Sequence, residues 1–270
     1  MGNIITITDH EFAQFQRFIF ETAGISMSPA KKALVSGRLA KRVQQCRLNT
    51  YGEYFRLLAS GNDAAEVQTA IDLLTTNETY FFREPKHFEL LREAAGSLRR
   101  NGQTFRVWSA ASSSGEEAYS IAMVLADTLR EAQWEVIGSD ISTRVLARAR
   151  TGHYPLERTT HIPADFLRRY CLKGTGTQQG TLLVERGLRQ RVQFLQANLN
   201  DTLPQLGTFD VIFLRNVMIY FNGDTKQQVV ARVLSLLKPN GYFFIGHSES
   251  LHGVTDLVQP VMPSVYRKVA

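Results

Sequence analysis

The feature that most constrains the fold is an alternation of strand-like and helix-like segments that begins near residue 104. Residues 105–109 and 134–138 are apolar runs typical of buried strands, and the stretch between them, 116–130, has helical periodicity. Further strands are predicted at 192–195, 209–214 and 242–245, and helices at 143–150 and 225–237. This alternation predicts an α/β domain with a mostly parallel sheet covered by helices.

The rest of the chain has a different pattern. Residues 8–75 contain short helix-like segments, with Asp9 as the expected cap of the first helix and Gly24 at its end. Residues 151–191 also break the alternation, since a helix at 165–172 is followed by glycines spaced like turns around a strand at 181–184. We therefore predict an all-α N-terminal domain (1–75), a linker and helix start (76–92), and an α/β domain (93–270) with a small antiparallel insertion at about 151–191.

Composition excludes several classes of protein. Of the 270 residues 44% are hydrophobic and 21% charged, which is too apolar for a disordered chain. No apolar run reaches the ~18–20 residues that span a bilayer, so we expect a cytoplasmic protein without membrane insertion. Cys46 and Cys171 lie far apart without paired spacing, so we expect neither a disulfide framework nor a metal site.

A run of small residues at 109–115 separates the first predicted strand of the α/β domain from its helix. Small side chains let a ligand approach the backbone, and a helix start offers free N–H groups. Gly115 is the only glycine in this run, so the three-glycine dinucleotide fingerprint is missing and a nicotinamide-dependent dehydrogenase is disfavoured. A plain tight turn would have the same composition.

Polar residues follow three of the predicted strands, where open α/β sheets bind ligands. Asp140 can accept hydrogen bonds from a ribose or cap the next helix. Asn198 can contact an adenine edge or form a turn. Arg215 and Asn216 can line a ligand crevice, or the arginine can form a structural salt bridge.

Together these segments resemble the CheR-type chemotaxis protein-glutamate O-methyltransferase family. The resemblance rests on the motifs TTNETYFFRE, VWSAASSSGEEAYSIA, SDIS, FLRNVMIYF and LKPNGYFFIGHSES, which occur in this order. It implies a Rossmann-like class I methyltransferase domain after an all-α domain. It also implies transfer of a methyl group from S-adenosylmethionine to receptor glutamates, with S-adenosylhomocysteine as the product.

The resemblance implies a set of site residues. Those expected to bind the cofactor are Asn77, Thr79, Arg83, Glu117, Asp140, Asn198, Leu199, Arg215 and Asn216. Those expected to be catalytic are Arg83, Arg215 and Tyr220, with the tyrosine close to the reacting methyl. A glutamate is anionic at neutral pH because its pKa is about 4.3, so the reaction needs no general base. Which arginine orients which carboxylate is left open.

Two surfaces are candidates for partner binding. Residues 22–52 lack acidic side chains, so this segment is basic. The resemblance implies that it docks on a chemoreceptor through Lys31, Lys32, Arg38, Lys41 and Arg42; a solvated helix face is the alternative.

The insertion resembles a subdomain that, in some members, adds a receptor C-terminal pentapeptide as an edge strand, here near Gly174 and Gly176. Nucleic acid is disfavoured because the basic segment has no interleaved aromatic residue beyond Tyr51. A catalytically silent module that binds the cofactor product and receptors is the alternative function.

Overall fold

The computed structural model describes residues 6–98, 102–130 and 132–269. The chain divides into two compact units, one made of Met1–Thr76 with Tyr220–Thr225 and the other of Asn77–Ile219 with Lys226–Ala270. Within the described ranges, no helix is both long and apolar enough to cross a membrane.

The first unit is helical. Its helices are α1 (Asp9–Ala23), α2 (Lys32–Gln45), α3 (Tyr51–Ala59) and α4 (Ala64–Leu74). The cap predicted at Asp9 is wrong by one residue, because Thr8 and Glu11 form a reciprocal capping box at the start of α1. The helix ends as predicted at Gly24, whose φ of +71° suits a residue without a Cβ.

Helix α2 has one buried face and one polar face. Val35, Leu39 and Val43 recur at helical spacing and are at most 1% exposed, which confirms the predicted apolar stripe. Two of the basic residues on the polar face bind groups of the same unit. Arg38 donates hydrogen bonds to the carbonyls of Leu74 and Thr75 at 2.9 and 3.1 Å.

Arg42 is the second basic residue of α2 with partners inside the unit. It forms an ion pair with Glu66, a residue of α4 that is only 4% exposed, and its Nε donates to Glu66 Oε1 at 2.8 Å. The hydroxyl of Tyr54, which is fully buried, donates to the same carboxylate oxygen at 2.6 Å. Arg42 and Glu66 therefore tie α2 to α4, and the polar face of α2 has a structural role as well as an exposed surface.

The second unit is the α/β domain. In chain order its elements are α5 (Lys86–Leu98), β1 (Phe105–Ser109), α6 (Glu116–Leu129), β2 (Trp134–Asp140), α7 (Thr143–Thr151), β3 (His153–Pro155), α8 (Ala164–Tyr170), β4 (Cys171–Lys173), β5 (Thr181–Val184), α9 (Arg186–Arg189), β6 (Val192–Gln196), β7 (Phe209–Leu214), α10 (Gly223–Leu234), β8 (Leu237–Ile245), β9 (Val258–Met262) and β10 (Val265–Lys268). Helix α10 begins in the segment that groups with the helical unit.

The main sheet has the strand order β6-β2-β1-β7-β8-β10-β9. The five strands from β6 to β8 are parallel, and β10 and β9 are antiparallel additions at one edge. Helix α6 is buried against the sheet along most of its length, and the rings of Phe213 and Phe244 stack at 4.5 Å on neighbouring strands. The α/β fold class expected from the sequence is confirmed.

The interruption at about 151–191 forms a second, three-stranded antiparallel sheet of order β3-β5-β4. The helix predicted at 165–172 stops at Tyr170, because Cys171 and the two residues after it pair with β5 as strand β4. Gly174 donates to the Thr181 carbonyl at 2.9 Å, and Gly176 has a φ of +57°, so the predicted turn follows β4.

The sequence Lys238-Pro239-Asn240-Gly241 predicts a turn before the last strand, but it lies within the bounds of β8, so this strand begins earlier than the predicted 242–245. The pairing with β7 shifts here, since Phe209 pairs with Leu237 and Val211 with Tyr242. Asn240 has a φ of +62°, and a Cβ on Gly241 would lie 2.8 Å from the Asp210 carbonyl. The turn is therefore an irregularity inside the strand, and α10 ends at Leu234, before the predicted residue 237.

Candidate active site

The carboxyl ends of the five parallel strands lie side by side and form the sheet edge that carries the predicted site residues, as distinct from the lateral edge with β10 and β9. From β1 the sheet extends through β2 to β6 on one side and through β7 to β8 on the other. The direction in which successive strands are added therefore reverses between β1 and β7. Ligands of open α/β sheets bind at such a reversal, outside the carboxyl ends. Most of the predicted site residues of this unit follow these strand ends.

The small-residue run after β1 folds onto the end of β2. The Asp140 carboxylate accepts hydrogen bonds from the backbone N–H groups of Ser113 and Ser142, both at 2.9 Å. The side chain that caps α7 is that of Ser142, which accepts from Val145 N–H. Asp140, 8% exposed, therefore joins the loop to the strand end, and its carboxylate is held at the sheet edge.

Gly115 ends the small-residue run in a conformation that favours glycine. Its φ is +95°, and a Cβ there would come within 2.9–3.1 Å of Ala149, Tyr154 and Phe194. The backbone can pass between these side chains into α6 only because residue 115 has no side chain.

Glu117 and Arg215 form an ion pair at the reversal point. Arg215 Nη1 lies 3.1 Å from Glu117 Oε2, and Ser109 donates to Glu117 Oε1 at 2.6 Å. Arg215 also lies 3.0 Å from Glu84 Oε2 and donates to the Arg83 carbonyl, and its side chain is 1% exposed. The salt bridge that sequence reasoning left open for Arg215 is therefore present, with two carboxylates.

Burial and charge determine the pKa values of this cluster. Burial raises the pKa of Glu117, and the nearby Arg215 charge only partly opposes this shift. Burial acts in the same direction on Glu84, but Arg215 and the His247 N–H outweigh it and lower the pKa of that carboxyl. Burial and Arg215 also lower the pKa of His87 to about 3, so this imidazole is neutral at pH 7.

The segment before α5 carries the other predicted arginine. Arg83 is partly exposed; its guanidinium donates to the Glu78 carbonyl at 3.3 Å and lies 5.7 Å from the Tyr80 ring centroid. Backbone carbonyls tie this segment to the domain: that of Asn77 accepts from Ser113 Oγ at 3.0 Å, and that of Thr79 from Arg158 at 3.2 Å. The segment thus lies along the small-residue loop.

The loop after β7 depends on Glu249, which sequence reasoning missed. Its carboxylate accepts from the backbone N–H groups of Asn216, Met218 and Gly246 at 2.7–2.8 Å. These bonds hold Asn216 at a φ of +57°, and a Cβ on Gly246 would meet the Asn216 amide at 2.4 Å. Glu249 and Glu84 both lie within the recognised motifs, so an inventory of the acids in those motifs would have found them.

Arg158 and Glu116 were also missed. Arg158 Nη2 lies 2.5 Å from the fully buried Glu116 carboxylate and 3.2 Å from the Thr79 carbonyl, and the Tyr154 hydroxyl donates to the Ser114 carbonyl at 2.8 Å. Both Tyr154 and Arg158 belong to the inserted segment, so the insertion supports the loop after β1.

The remaining predicted residues follow strands β6 and β7 in the chain. Asn198 Oδ1 accepts from the Asn200 N–H at 3.0 Å, which is the turn geometry that sequence reasoning left open, and Leu199 is 7% exposed. Tyr220 ends a 3₁₀ turn, Met218–Tyr220, and its carbonyl accepts from the Ser26 N–H at 2.8 Å within the helical unit. Asp140, Asn198, Leu199, Arg215 and Asn216 thus follow strands of one sheet, and Glu117 pairs with Arg215 there. The segment with Asn77, Thr79 and Arg83 is joined to this region through its backbone carbonyls, and Tyr220 groups with the helical unit.

Comparison with family models covers nearly the whole chain. The model "CheR methyltransferase, all-alpha domain" matches residues 10–75, and "CheR methyltransferase, SAM binding domain" matches residues 77–266. The chain belongs to the CheR methyltransferase family. It is an S-adenosylmethionine-dependent methyltransferase, as the resemblance implied.

Curated relatives agree with this assignment. A chemotaxis protein methyltransferase of Escherichia coli K12 is 44% identical over 93% of this chain and 87% of its own length. Chemotaxis protein methyltransferase 2 of Pseudomonas aeruginosa PAO1 is 41% identical over 96% of this chain and 93% of its own length. The similarity therefore extends through both units.

The side chains at the sheet edge fit S-adenosylmethionine, which has ribose hydroxyls, an ammonium group and a carboxylate. Asp140 and Glu117 offer carboxylate oxygens for hydroxyl and ammonium donors, and Arg83 offers a cation for a carboxylate. The small side chains of residues 109–115 leave the backbone accessible between these groups.

Proposed function

We propose that this chain transfers a methyl group from S-adenosylmethionine to glutamate side-chain carboxylates of chemoreceptors and so forms glutamate methyl esters in chemotaxis adaptation. The proposal rests on the CheR family assignment and on relatives named chemotaxis protein methyltransferases. The observation that carries it is the group formed by Asp140, Glu117 and Arg215 at the strand ends beside the reversal in strand order, with the Arg83 carbonyl bonded to Arg215.

The chemistry requires orientation more than proton transfer. When bound, S-adenosylmethionine supplies an electrophilic methyl group on a sulfonium. The attacking glutamate is already anionic at neutral pH, so the protein's task is to exclude water and align the attacking oxygen with the methyl carbon and the sulfur. No histidine dyad is needed for this reaction.

The two arginines have different roles in this proposal. Arg215 has its charge balanced by Glu84 and Glu117 at 3.0 and 3.1 Å, so it fixes Glu117 for an ammonium group. Arg83 donates to a single backbone carbonyl at 3.3 Å and is partly exposed, so it orients the cofactor or substrate carboxylate by charge-assisted hydrogen bonds. Tyr220 is the candidate for positioning the reacting group.

The other cofactor contacts follow from their places on the chain. Asp140 accepts from the ribose hydroxyls, and Asn198 and Leu199 contact the adenine side. Asn77, Thr79 and Asn216 line the cleft from the segment before α5 and from the loop after β7. Proximity of these loops to Asp140 and Arg215 supports this set.

Receptor docking uses the basic segment. Arg38 and Arg42 bind groups within the helical unit and Lys32 pairs with Asp9, so Lys31 and Lys41, which are exposed, carry the attraction to an acidic receptor helix. Arg38 and Arg42 then contribute mainly by holding α2 in place. The measurement is the salt dependence of receptor binding, which the Lys31→Ala/Lys41→Ala variant reduces.

Tethering to a receptor tail uses the insertion. Strand β4 is an edge strand of the three-stranded sheet, and its exposed backbone groups suit addition of an extended pentapeptide beside the Gly174–Gly176 turn. Calorimetry with receptor C-terminal pentapeptides tests this step, and absence of heat with every tail contradicts it.

We also propose the division into a docking domain (1–75), a linker and cofactor-contacting helix start (76–92), and a methyltransferase domain (93–270). A cytoplasmic location follows from the proposed substrate, since the glutamates to be methylated belong to the cytoplasmic part of chemoreceptors.

The decisive experiment measures transfer of a tritiated methyl group from S-adenosylmethionine to receptor-containing membranes. We expect incorporated label that base releases as volatile methanol, as a methyl ester requires. Arg83→Ala should lose transfer, whereas Arg148→Ala, at an exposed position on α7, should keep it. A protein that binds S-adenosylhomocysteine but transfers no label would instead be the catalytically silent module.

A further inference from the structure

Next to the Arg215 cluster, three potential metal ligands meet. Glu84, His87 and His247 each place a ligand atom within 4.8 Å of the other two. Glu84 Oε2 lies 3.4 Å from His87 Nδ1 and 3.7 Å from His247 Nε2. Ligand atoms of a tetrahedral zinc ion are about 3.4 Å apart, because each lies ~2.0–2.2 Å from the metal.

The hydrogen bonds of Ser264 determine which nitrogen of His87 carries a proton. The Ser264 hydroxyl donates to the Pro263 carbonyl at 2.6 Å, so its oxygen accepts from the imidazole, which lies 2.8 Å away through Nε2. The proton of the neutral ring is then on Nε2, and Nδ1 carries a lone pair. Metal-binding histidines likewise donate the N–H of the nitrogen that does not bind the metal to a nearby acceptor, which orients the ring.

The Nδ1 lone pair faces a carboxylate oxygen instead of a donor. His87 is 1% exposed, and among the described residues its Nδ1 has no hydrogen-bond partner, whereas Glu84 Oε2 lies 3.0 Å from the Arg215 guanidinium without a hydrogen bond of good geometry. Two buried acceptors that face each other are unfavourable unless something positive lies between them. A metal ion bonded to both would satisfy them.

Arg215 opposes cation binding, but it does not neutralise the whole cluster. Its guanidinium is shared between Glu84 at 3.0 Å and Glu117 at 3.1 Å, so Glu84 does not have the whole of that positive charge to itself. His247 is 53% exposed and gives the third ligand, as well as a route from solvent.

We propose that Glu84, His87 and His247 bind one divalent transition-metal ion of the Zn²⁺ class. The His₂–carboxylate set leaves a fourth position for water. The ion would fasten the start of α5 to the loop after β8, and methyl transfer itself does not require it. The site departs from the expectation of no metal, which rested on the absence of paired cysteines.

The test is calorimetric titration of the metal-free, tag-free full chain with Zn²⁺, with both cysteines replaced by serine so that thiolates cannot bind the ion. We expect one bound equivalent, and a tetrahedral Co²⁺ visible spectrum on cobalt substitution. His247→Ala removes an exposed ligand and should weaken binding by at least ~10-fold. His252→Ala, also exposed and five residues away, is the matched control and should bind as the parent does.

Glu84→Gln gives a second variant with a similar side-chain volume, and it should also bind Zn²⁺ more weakly. Absence of Zn²⁺ binding to the parent would overturn the proposal, as would equal affinities of His247→Ala and His252→Ala. These readouts do not involve methyl transfer, so they succeed or fail independently of the proposed function.

Discussion

Two arginines with the same charge have opposite surroundings. Arg215 is 1% exposed in its side chain and is paired with two carboxylates, whereas Arg83 is partly exposed and donates to one backbone carbonyl. A buried guanidinium with two partners stabilises the fold, and a more exposed one can meet a ligand. Substitution should therefore lower mainly the rate of methyl transfer at Arg83 and mainly the stability of the fold at Arg215.

Arg83→Ala should lower methyl transfer by about 10²-fold or more while leaving the unfolding midpoint nearly unchanged, because it removes an orienting cation from a partly exposed position. Arg83→Lys keeps the charge without the planar fork and should recover only part of the rate. Single-turnover transfer assays beside thermal melts measure both effects. A full rate in Arg83→Ala would remove this residue from the site.

Arg215→Ala should destabilise the protein by about 3–5 kcal/mol, since it leaves Glu84 and Glu117 buried without their cation. Urea unfolding followed by tryptophan fluorescence measures this effect, because both tryptophans, Trp108 and Trp134, belong to the methyltransferase unit. An unchanged unfolding curve would contradict the structural role.

Glu66 should make stability depend on pH. Its hydrogen bonds from Arg42 and Tyr54 outweigh burial and hold its pKa below the ordinary value of 4.5. A carboxyl with a lowered pKa stabilises the fold above its unfolded pKa and loses that contribution as the pH falls through its folded value. Glu66→Gln should therefore cost about 1–3 kcal/mol near pH 7, and the difference from wild type should shrink below pH 4.5.

The measurement is urea unfolding followed by far-ultraviolet circular dichroism near pH 7 and near pH 3.5. Glu21→Gln, at an exposed position on α1, serves as the control and should show a small difference at both pH values. An equal cost of Glu66→Gln at both values would show that its charge contributes nothing.

At the scale of elements, the strands determine where the loops begin and end, and hydrogen bonds from single side chains determine the conformation of those loops. Glu249 accepts hydrogen bonds from three N–H groups in the loops after β7 and β8. Arg158 joins the segment before α5 to Ser114 in the loop after β1 and to Glu116 at the start of α6. Loop shape at the site therefore depends on residues that need not touch a ligand.

Glu249→Ala should weaken S-adenosylhomocysteine binding, because Asn216 loses the hydrogen bond that holds its positive φ. It should also destabilise the fold by about 1–3 kcal/mol through the unpaired N–H groups. Glu185→Ala is the matched control, since Glu185 accepts from two N–H groups at the start of α9. Calorimetric affinities compare the two, and an unchanged affinity in Glu249→Ala contradicts the positioning role.

For the whole molecule, cofactor binding should stabilise the methyltransferase unit, which contains the SAM-binding domain. S-adenosylhomocysteine at 100 times its dissociation constant should stabilise the methyltransferase unit by about 2.7 kcal/mol. Tryptophan fluorescence during heating reports this unit alone, because the helical unit contains no tryptophan.

Asp140→Asn should lose most of this ligand-induced shift, whereas Asp165→Asn, at a position 72% exposed on α8, should retain it. Comparing shifts with and without ligand separates binding from any loss of intrinsic stability. An undiminished shift in Asp140→Asn would contradict the ribose role.

Most elements and the family could be predicted from the amino-acid sequence without a structure. Apolar periodicity marked β1, β2, β7 and the buried stripe of α2, because residues that share one face of a strand or helix recur at the period of that element. Long motifs in a fixed order identified the methyltransferase. These signals are local in the sequence, so they can be recognised without knowledge of the fold.

The contacts of each side chain, by contrast, depend on how the chain folds in three dimensions. Arg215 contacts Glu84 across 215 − 84 = 131 positions of the chain and Glu117 across 98, and Glu249 contacts Asn216 across 33. Periodicity and spacing carry no information about such distant partners, which depend on strand order. For the same reason the sequence could not show which cations of α2 remain exposed, or that two histidines and a glutamate meet beside the site.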